Sequence, residues 1–241
     1  MFTLSPGRLF APAPDLISSF LALPELRGFW PMSSVNESGN ALDVSGQGRT
    51  LTNNAATPRA IYNALVPYFD LNGTTQYLSR ADEAGLDITG ALTFGGWFWF
   101  DTAATSIEAC LGKRNTGVDQ LSYYLRRLAS GTINFEISNN GVLPVENVSS
   151  AAAVGVATWV LLVARFIPST EIAVFVNELK ATFATGFGAI FSGTAPLAAG
   201  ADNAGTSFFN GRLGPIFICA DDLPDDLIRS LYARTRGAFD V

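Results

Sequence analysis

The sequence predicts an all-β protein: a two-sheet antiparallel sandwich with one short C-terminal helix and an N-terminal arm. Three observations carry that expectation. Short runs rich in Val, Ile, Leu, Phe, Trp and Thr recur along the chain, a composition that suits strands. Turn formers separate them, as at Asn72-Gly73, Asn139-Asn140-Gly141 and Asn177-Glu178. Helix signals are few, and many short strands with turns at near-regular spacing build a sandwich.

Residues 1–26 read as a Pro-punctuated arm, and residues 27–241 as one domain with no repeat or linker. In the arm, Asp15 suits the cap of a short helix that sets Leu16, Phe20 and Leu23 on one face before Pro24 stops it. The runs 65–71, 76–79, 92–101, 122–127, 132–138, 159–166, 172–177, 180–183 and 213–219 predict strands. Residues 223–236 predict the helix. Pro224 lies near its start, Asp225 and Asp226 in its first turn, Arg234 and Arg236 in its last, and Gly237 follows as a stop.

Two strands break the expected apolar-in, polar-out alternation. Residues 92–101 are apolar on both faces, and so are 159–166, where only Arg165 interrupts the pattern. Such strands need cover on their outer side. The arm, the C-terminal helix and another subunit are the three candidates.

Composition excludes several functions. The 241 residues carry 15 Lys and Arg against 21 Asp and Glu, a net charge of −6, and no His. That charge argues against a nucleic-acid partner, which needs a basic stripe. Without His there is no His-based acid–base catalysis, Ser-His-Asp triad or His metal site. Cys110 and Cys219 show no paired spacing and read as two buried free thiols or one bridge. No apolar run reaches the ~18 residues of a membrane span. Pro12, Pro14 and Asp15 interrupt the stretch where a signal peptide would be continuously apolar, so no export signal is expected.

A series of motifs then falls in a telling order. Phe29-Trp30-Pro31 is followed by Asp43-Val44-Ser45-Gly46, then by Tyr68-Phe69-Asp70-Leu71-Asn72-Gly73 and Gln76-Tyr77-Leu78. Leu86-Asp87-Ile88-Thr89 precedes Leu92-Thr93-Phe94 and Trp97. Trp159–Val163, Ile172–Asn177, Asn210-Gly211-Arg212-Leu213 and Leu223-Pro224-Asp225-Asp226 close the series. Together, across residues 29–236, they resemble the laminin G-like domains of the concanavalin A-like jelly-roll superfamily. The resemblance implies a jelly roll. Free-standing domains of this kind resemble those on phage particles, which implies a virion surface protein and a homo-oligomer such as a trimer. On that reading Phe2, Leu9, Phe10, Leu16, Ile17, Phe20 and Leu21 are the apolar anchors that dock the arm on particle subunits.

The alternative is a glycan-binding lectin or adhesion module. Its candidate surface is the polar-aromatic cluster of Tyr123, Tyr124 and Arg126, with Arg127 beside it; Trp97 and Trp99 share one strand face and read as packing before platform. An enzyme is not expected. The glucanases of the same jelly roll resemble one another in a strand bearing E-x-D-x-x-E, whereas no E-x-D occurs here and Glu136 and Glu171 have no acidic neighbour at i+2. No cofactor is expected either. Asp43, Asp70, Asp87 and Asp101 are partial ligands at best for a Ca²⁺ ion, and each serves equally as a turn former.

Overall fold

A computed structural model describes residues 16–62, 66–203 and 205–241. Helix α1 (Leu16–Leu21) leads into β1 (Leu26–Trp30), β2 (Thr52–Asn54), β3 (Arg59–Tyr62), β4 (Val66–Asn72) and β5 (Tyr77–Arg80). Next come β6 (Leu92–Phe100), β7 (Glu108–Asn115), β8 (Gln120–Arg127), β9 (Thr132–Gly141) and β10 (Glu146–Ala153). The chain finishes with β11 (Trp159–Ile167), β12 (Glu171–Val176), β13 (Leu179–Ala184), β14 (Leu197–Ala199), β15 (Asn210–Cys219) and helix α2 (Asp225–Thr235).

Two antiparallel sheets result. The first runs β13-β12-β11-β6-β15-β4-β3, with β1 also paired to β15. The second runs β10-β9-β8-β7-β14-β5-β2. The inner faces meet in a core that includes Phe94, Phe98, Phe100, Leu125, Phe135, Leu162 and Ile218. No helix among the described residues is long and apolar enough to cross a membrane.

The first sheet is buried on its inner face and over much of its outer face, which answers the two-faced strands. A second core on its outer side joins Trp97, Trp159, Leu161, Val163, Phe175 and Phe217 to Phe20 and Leu23 and to Ile228, Leu231 and Tyr232 of α2. The spacing 228, 231, 232, 235 puts one stripe of α2 on the sheet. Each large side chain so buried contributes about 1.5–3 kcal/mol. Arg165 is no exception to the logic: its guanidinium donates to Leu223 O at 2.7 Å and pairs with Glu171 and Asp225, so it ties the sheet to the first turn of α2.

This corrects the expectation that Phe20 is an anchor for another subunit. Phe20 is fully buried and stacked on Phe29 of its own chain, ring centroids 4.8 Å apart, with Phe217 at 5.5 Å. Leu16 and Ile17 pack part-buried against the same cluster, and Leu21 alone of the four points to solvent. A side chain spent on its own core is not available to a neighbour. Phe2, Leu9 and Phe10 lie outside the described residues. The thiols of Cys110 and Cys219 belong to different cores, on opposite sides of a sheet, and both are free.

Candidate functional site

The outer face of the second sheet carries a closed polar ladder. Adjacent strand residues face opposite ways, so Tyr123 and Tyr124 separate. Tyr123 enters the inner core, and its hydroxyl donates to Leu86 O at 3.1 Å. It is not a ligand-facing residue. Tyr124 points outward and is held between two guanidiniums, Arg114 at 4.8 Å and Arg126 at 5.5 Å from its ring centroid. Glu136 accepts from Arg114 at 2.5 Å and pairs with Arg126 at 2.7 Å, while Asn134 accepts from Arg126 Nε at 3.0 Å. The recess between Arg114, Ser122, Tyr124, Glu136 and Val145 has no free volume, and the Ser122 and Tyr124 hydroxyls are buried with no partner among the described residues. Tyr124 and Arg126 thus meet as expected, but the groups that would contact a sugar already contact one another.

An open, aromatic surface lies instead on the outer face of the first sheet, beyond the reach of α2. Cross-strand register builds it. Trp159 on β11 pairs with Trp99 on β6, Trp99 with Arg212 on β15, and Arg212 with Asp70 on β4. Tyr68 is two residues from Asp70 on the same face, and Tyr62 ends the neighbouring β3. Trp99 and Trp159 meet edge to face at 5.9 Å, and Tyr62 lies 5.9 Å from Trp99 and 5.8 Å from Trp159. Trp159 also stands 6.0 Å from Tyr68. Gly214 makes room for this: a Cβ there would stand 3.0 Å from the Trp159 ring.

Burial divides the set into foundation and surface. Trp97 and Trp159 are foundation, wedged against Phe239 at 4.0 and 5.1 Å. Trp99, Tyr68, Tyr62 and Arg212 are partly exposed, and Asp70 and Asp101 are exposed. The Arg212 guanidinium lies 4.3 Å from the Trp99 ring centroid and 5.2 Å from that of Tyr68. Partial burial and the charge of Asp101 push the Asp70 carboxyl above its usual range, with Arg212 acting in opposition. The guanidinium thus lies on the rings of Trp99 and Tyr68, and with Tyr62 they form a partly exposed surface that has two carboxylates at its margin. Such a surface suits a ring with one apolar face and hydroxyls at its edge.

The other carboxylates considered as ligands or acids, among them Asp43, Asp87 and Glu171, are occupied. Asp43 Oδ1 accepts from the N–H of Phe29 and of Ser45, and its Oδ2 accepts from Arg49, which is turn-forming work. Asp82 and Asp87 both hold the buried ammonium of Lys113. Glu171 sits between Arg165 and Lys180; burial pushes its carboxyl up, but these two partners outweigh that and hold it below the usual range. No group of three or more His, Cys, Asp or Glu among the described residues is arranged to hold a metal ion. A cleft of about 380 Å³ lined by Arg27, Gly85, Asp87, Thr89 and Gly90 offers no aromatic side chain.

Comparison with known proteins agrees with this architecture. The family described as the concanavalin A-like lectin/glucanases superfamily matches residues 72–224. A search of curated proteins found no match. Among solved structures, the binding domain of Paraclostridial Mosquitocidal Protein 1 superposes with a TM-score of 0.69 at 10% identity, over 86% of this chain and 52% of that one. The binding domain of botulinum neurotoxin DC in complex with SialylT gives 0.66 at 8% identity, over 88% and 52%. A structure of botulinum neurotoxin type C, whose cell entry is described as dependent upon interaction with two ganglioside molecules, gives 0.66 at 8%, over 91% and 53%. The chain spans about half the length of these structures. At such identity the likeness is one of fold. These are toxin binding domains, so they lend no weight to the expected place on a phage particle.

Proposed function

The chain belongs to the concanavalin A-like lectin/glucanases superfamily, and from that premise we propose that it is a non-catalytic carbohydrate-binding module whose contact surface is the Trp99–Tyr68–Arg212–Asp70 floor. The observation that carries this reading is the partly exposed cluster of Trp99, Tyr68 and Tyr62, with the Arg212 guanidinium on the rings of Trp99 and Tyr68 and carboxylates at its margin. That toxin binding domains of the same fold are described with SialylT and gangliosides supports it. The engagement of Glu136 and Glu171 by basic partners tells against these two as a glycosidic acid, which needs a carboxyl held protonated. A glycan array followed by titration tests the reading. Trp99→Ala should weaken the best ligand at least tenfold, about 1.4 kcal/mol, without lowering the melting temperature by more than a few degrees. A silent array, or a Trp99→Ala protein that binds as before, would overturn it.

A second reading places the chain in a larger assembly such as a virion surface. The edge strand β13 supports it, with Leu179 75% and Phe183 48% exposed. Such an edge is open to pairing with another chain. Light scattering of the full chain against a Leu179→Lys, Phe183→Lys variant tests it, since the reading requires an oligomer that the variant loses.

A further inference from the structure

We infer that the floor selects uncharged sugars and discriminates against sialylated or sulfated ones; this rests on the carbohydrate-binding reading and goes further, to the class of sugar. The order of groups across the strands is the argument. Trp99, Arg212 and Asp70 stand in one cross-strand row on β6, β15 and β4. Asp101 follows two residues after Trp99, and its amide donates to Asn210 O at 3.3 Å, beside the same row. Two exposed carboxylates therefore flank one guanidinium, and that guanidinium is committed to the faces of Trp99 and Tyr68. Arg212 forms no ion pair with either acid among the described residues, so the carboxylates are not neutralised by contact.

Hydrogen-bond chemistry points the same way. A sugar hydroxyl both donates and accepts, so it can donate to Asp70 or Asp101 and accept from Arg212. A sialate carboxylate or a sulfate accepts only. It would meet one donor and two charges of its own sign, on a surface where Asp70 already feels Asp101. Asn72 offers no relief, because its Oδ1 accepts from the amides of Thr74, Thr75 and Gln76 and its Nδ2 donates to Thr75. Among the described residues the exposed side chains of Asp70 and Asp101 make no hydrogen bond or ion pair, so their replacement by Asn should leave the fold in place.

The test uses the full chain and matched probes: a neutral hexose/N-acetylhexosamine oligosaccharide, its sialylated counterpart and its sulfated counterpart, each titrated by calorimetry. The neutral probe should bind at least tenfold tighter than either acidic one. An Asp70→Asn, Asp101→Asn double variant should narrow that ratio by raising affinity for the acidic probes. Equal or tighter binding of an acidic probe to the native chain, or a ratio unmoved in the double variant, overturns the inference and leaves the carbohydrate reading standing. No binding of any of the three, or binding indifferent to Trp99→Ala, overturns the carbohydrate reading and this inference with it.

Discussion

Truncating Phe20 tests whether the helical layer is part of the fold or a detachable arm. Its ring is fully buried, stacked at 4.8 Å on Phe29 and tilted at 5.5 Å to Phe217. Phe→Ala at such a site costs about 3–5 kcal/mol in lost transfer energy and residual cavity. Helix α1 has six residues, far below the ~12–15 that an isolated helix needs even in a favourable sequence. Its attachment therefore rests on packing, chiefly of Phe20 and Leu23 with Leu16 and Ile17 beside them. For a domain of this size about 2–4 °C follows each kcal/mol, so Phe20→Ala should lower the melting temperature by roughly 6–20 °C. Leu21→Ala is the internal control. Leu21 is 44% exposed, and its loss should stay within about 0.5 kcal/mol. Urea melts followed by tryptophan fluorescence would report both, since Trp97 and Trp159 lie in the same outer core. A Phe20→Ala loss under about 1 kcal/mol, or equal losses in the two variants, would refute the reasoning and return Phe20 to the role of an intermolecular anchor.

Other expectations follow from single contacts. Trp97 Nε1 donates to Thr235 Oγ1 at 3.2 Å, whereas Trp159 Nε1 is buried with no partner among the described residues. Trp97→Phe should therefore cost about 0.5–1.5 kcal/mol more than Trp159→Phe in matched denaturant melts; the reverse order would contradict the hydrogen-bond assignment. At Gly95 a Cβ would stand 2.0 Å from Leu162 O, so Gly95→Ala should prise β6 from β11 and yield little folded protein, which far-UV circular dichroism would detect. For Glu171 and Asp225, burial raises each carboxyl, but Lys180 and Arg165 outweigh it and leave both below their usual range in the folded chain. Their contribution is present at neutral pH and lost as pH falls through the carboxylate range. The urea midpoint should accordingly drop between about pH 5 and 3, and less so in Glu171→Gln; a midpoint that rises on acidification would contradict this.

The sandwich was legible because its central strands have strong patterns. The runs 92–101 and 159–166 appear as β6 and β11, and their apolar outer faces correctly demanded a cover. The strands that escaped notice lack such patterns. Strand β7 reads Glu-Ala-Cys-Leu-Gly-Lys-Arg-Asn, and its charges look like loop until Lys113 is seen buried between Asp82 and Asp87. Strand β10 is Ser- and Ala-rich, and β2, β3 and β14 have three or four residues each. The site was less legible for a geometric reason. Trp99, Arg212 and Asp70 come from three segments, and only the register of β6, β15 and β4 sets them side by side. One signal was available: alternation alone forbids Tyr123 and Tyr124 from facing the same ligand.

The pairing of Lys113 with Asp82 and Asp87 carries a consequence of its own. Two carboxylates side by side at a sandwich end form a notch that calls for positive charge. A divalent ion would have to be drawn from the surroundings, and would depart under chelation or mild acid. Here an ammonium on β7, 1% exposed, is delivered by the chain itself. This corner of the molecule carries its own counter-ion, so the two carboxylates are paired by a charge that is covalently part of the chain.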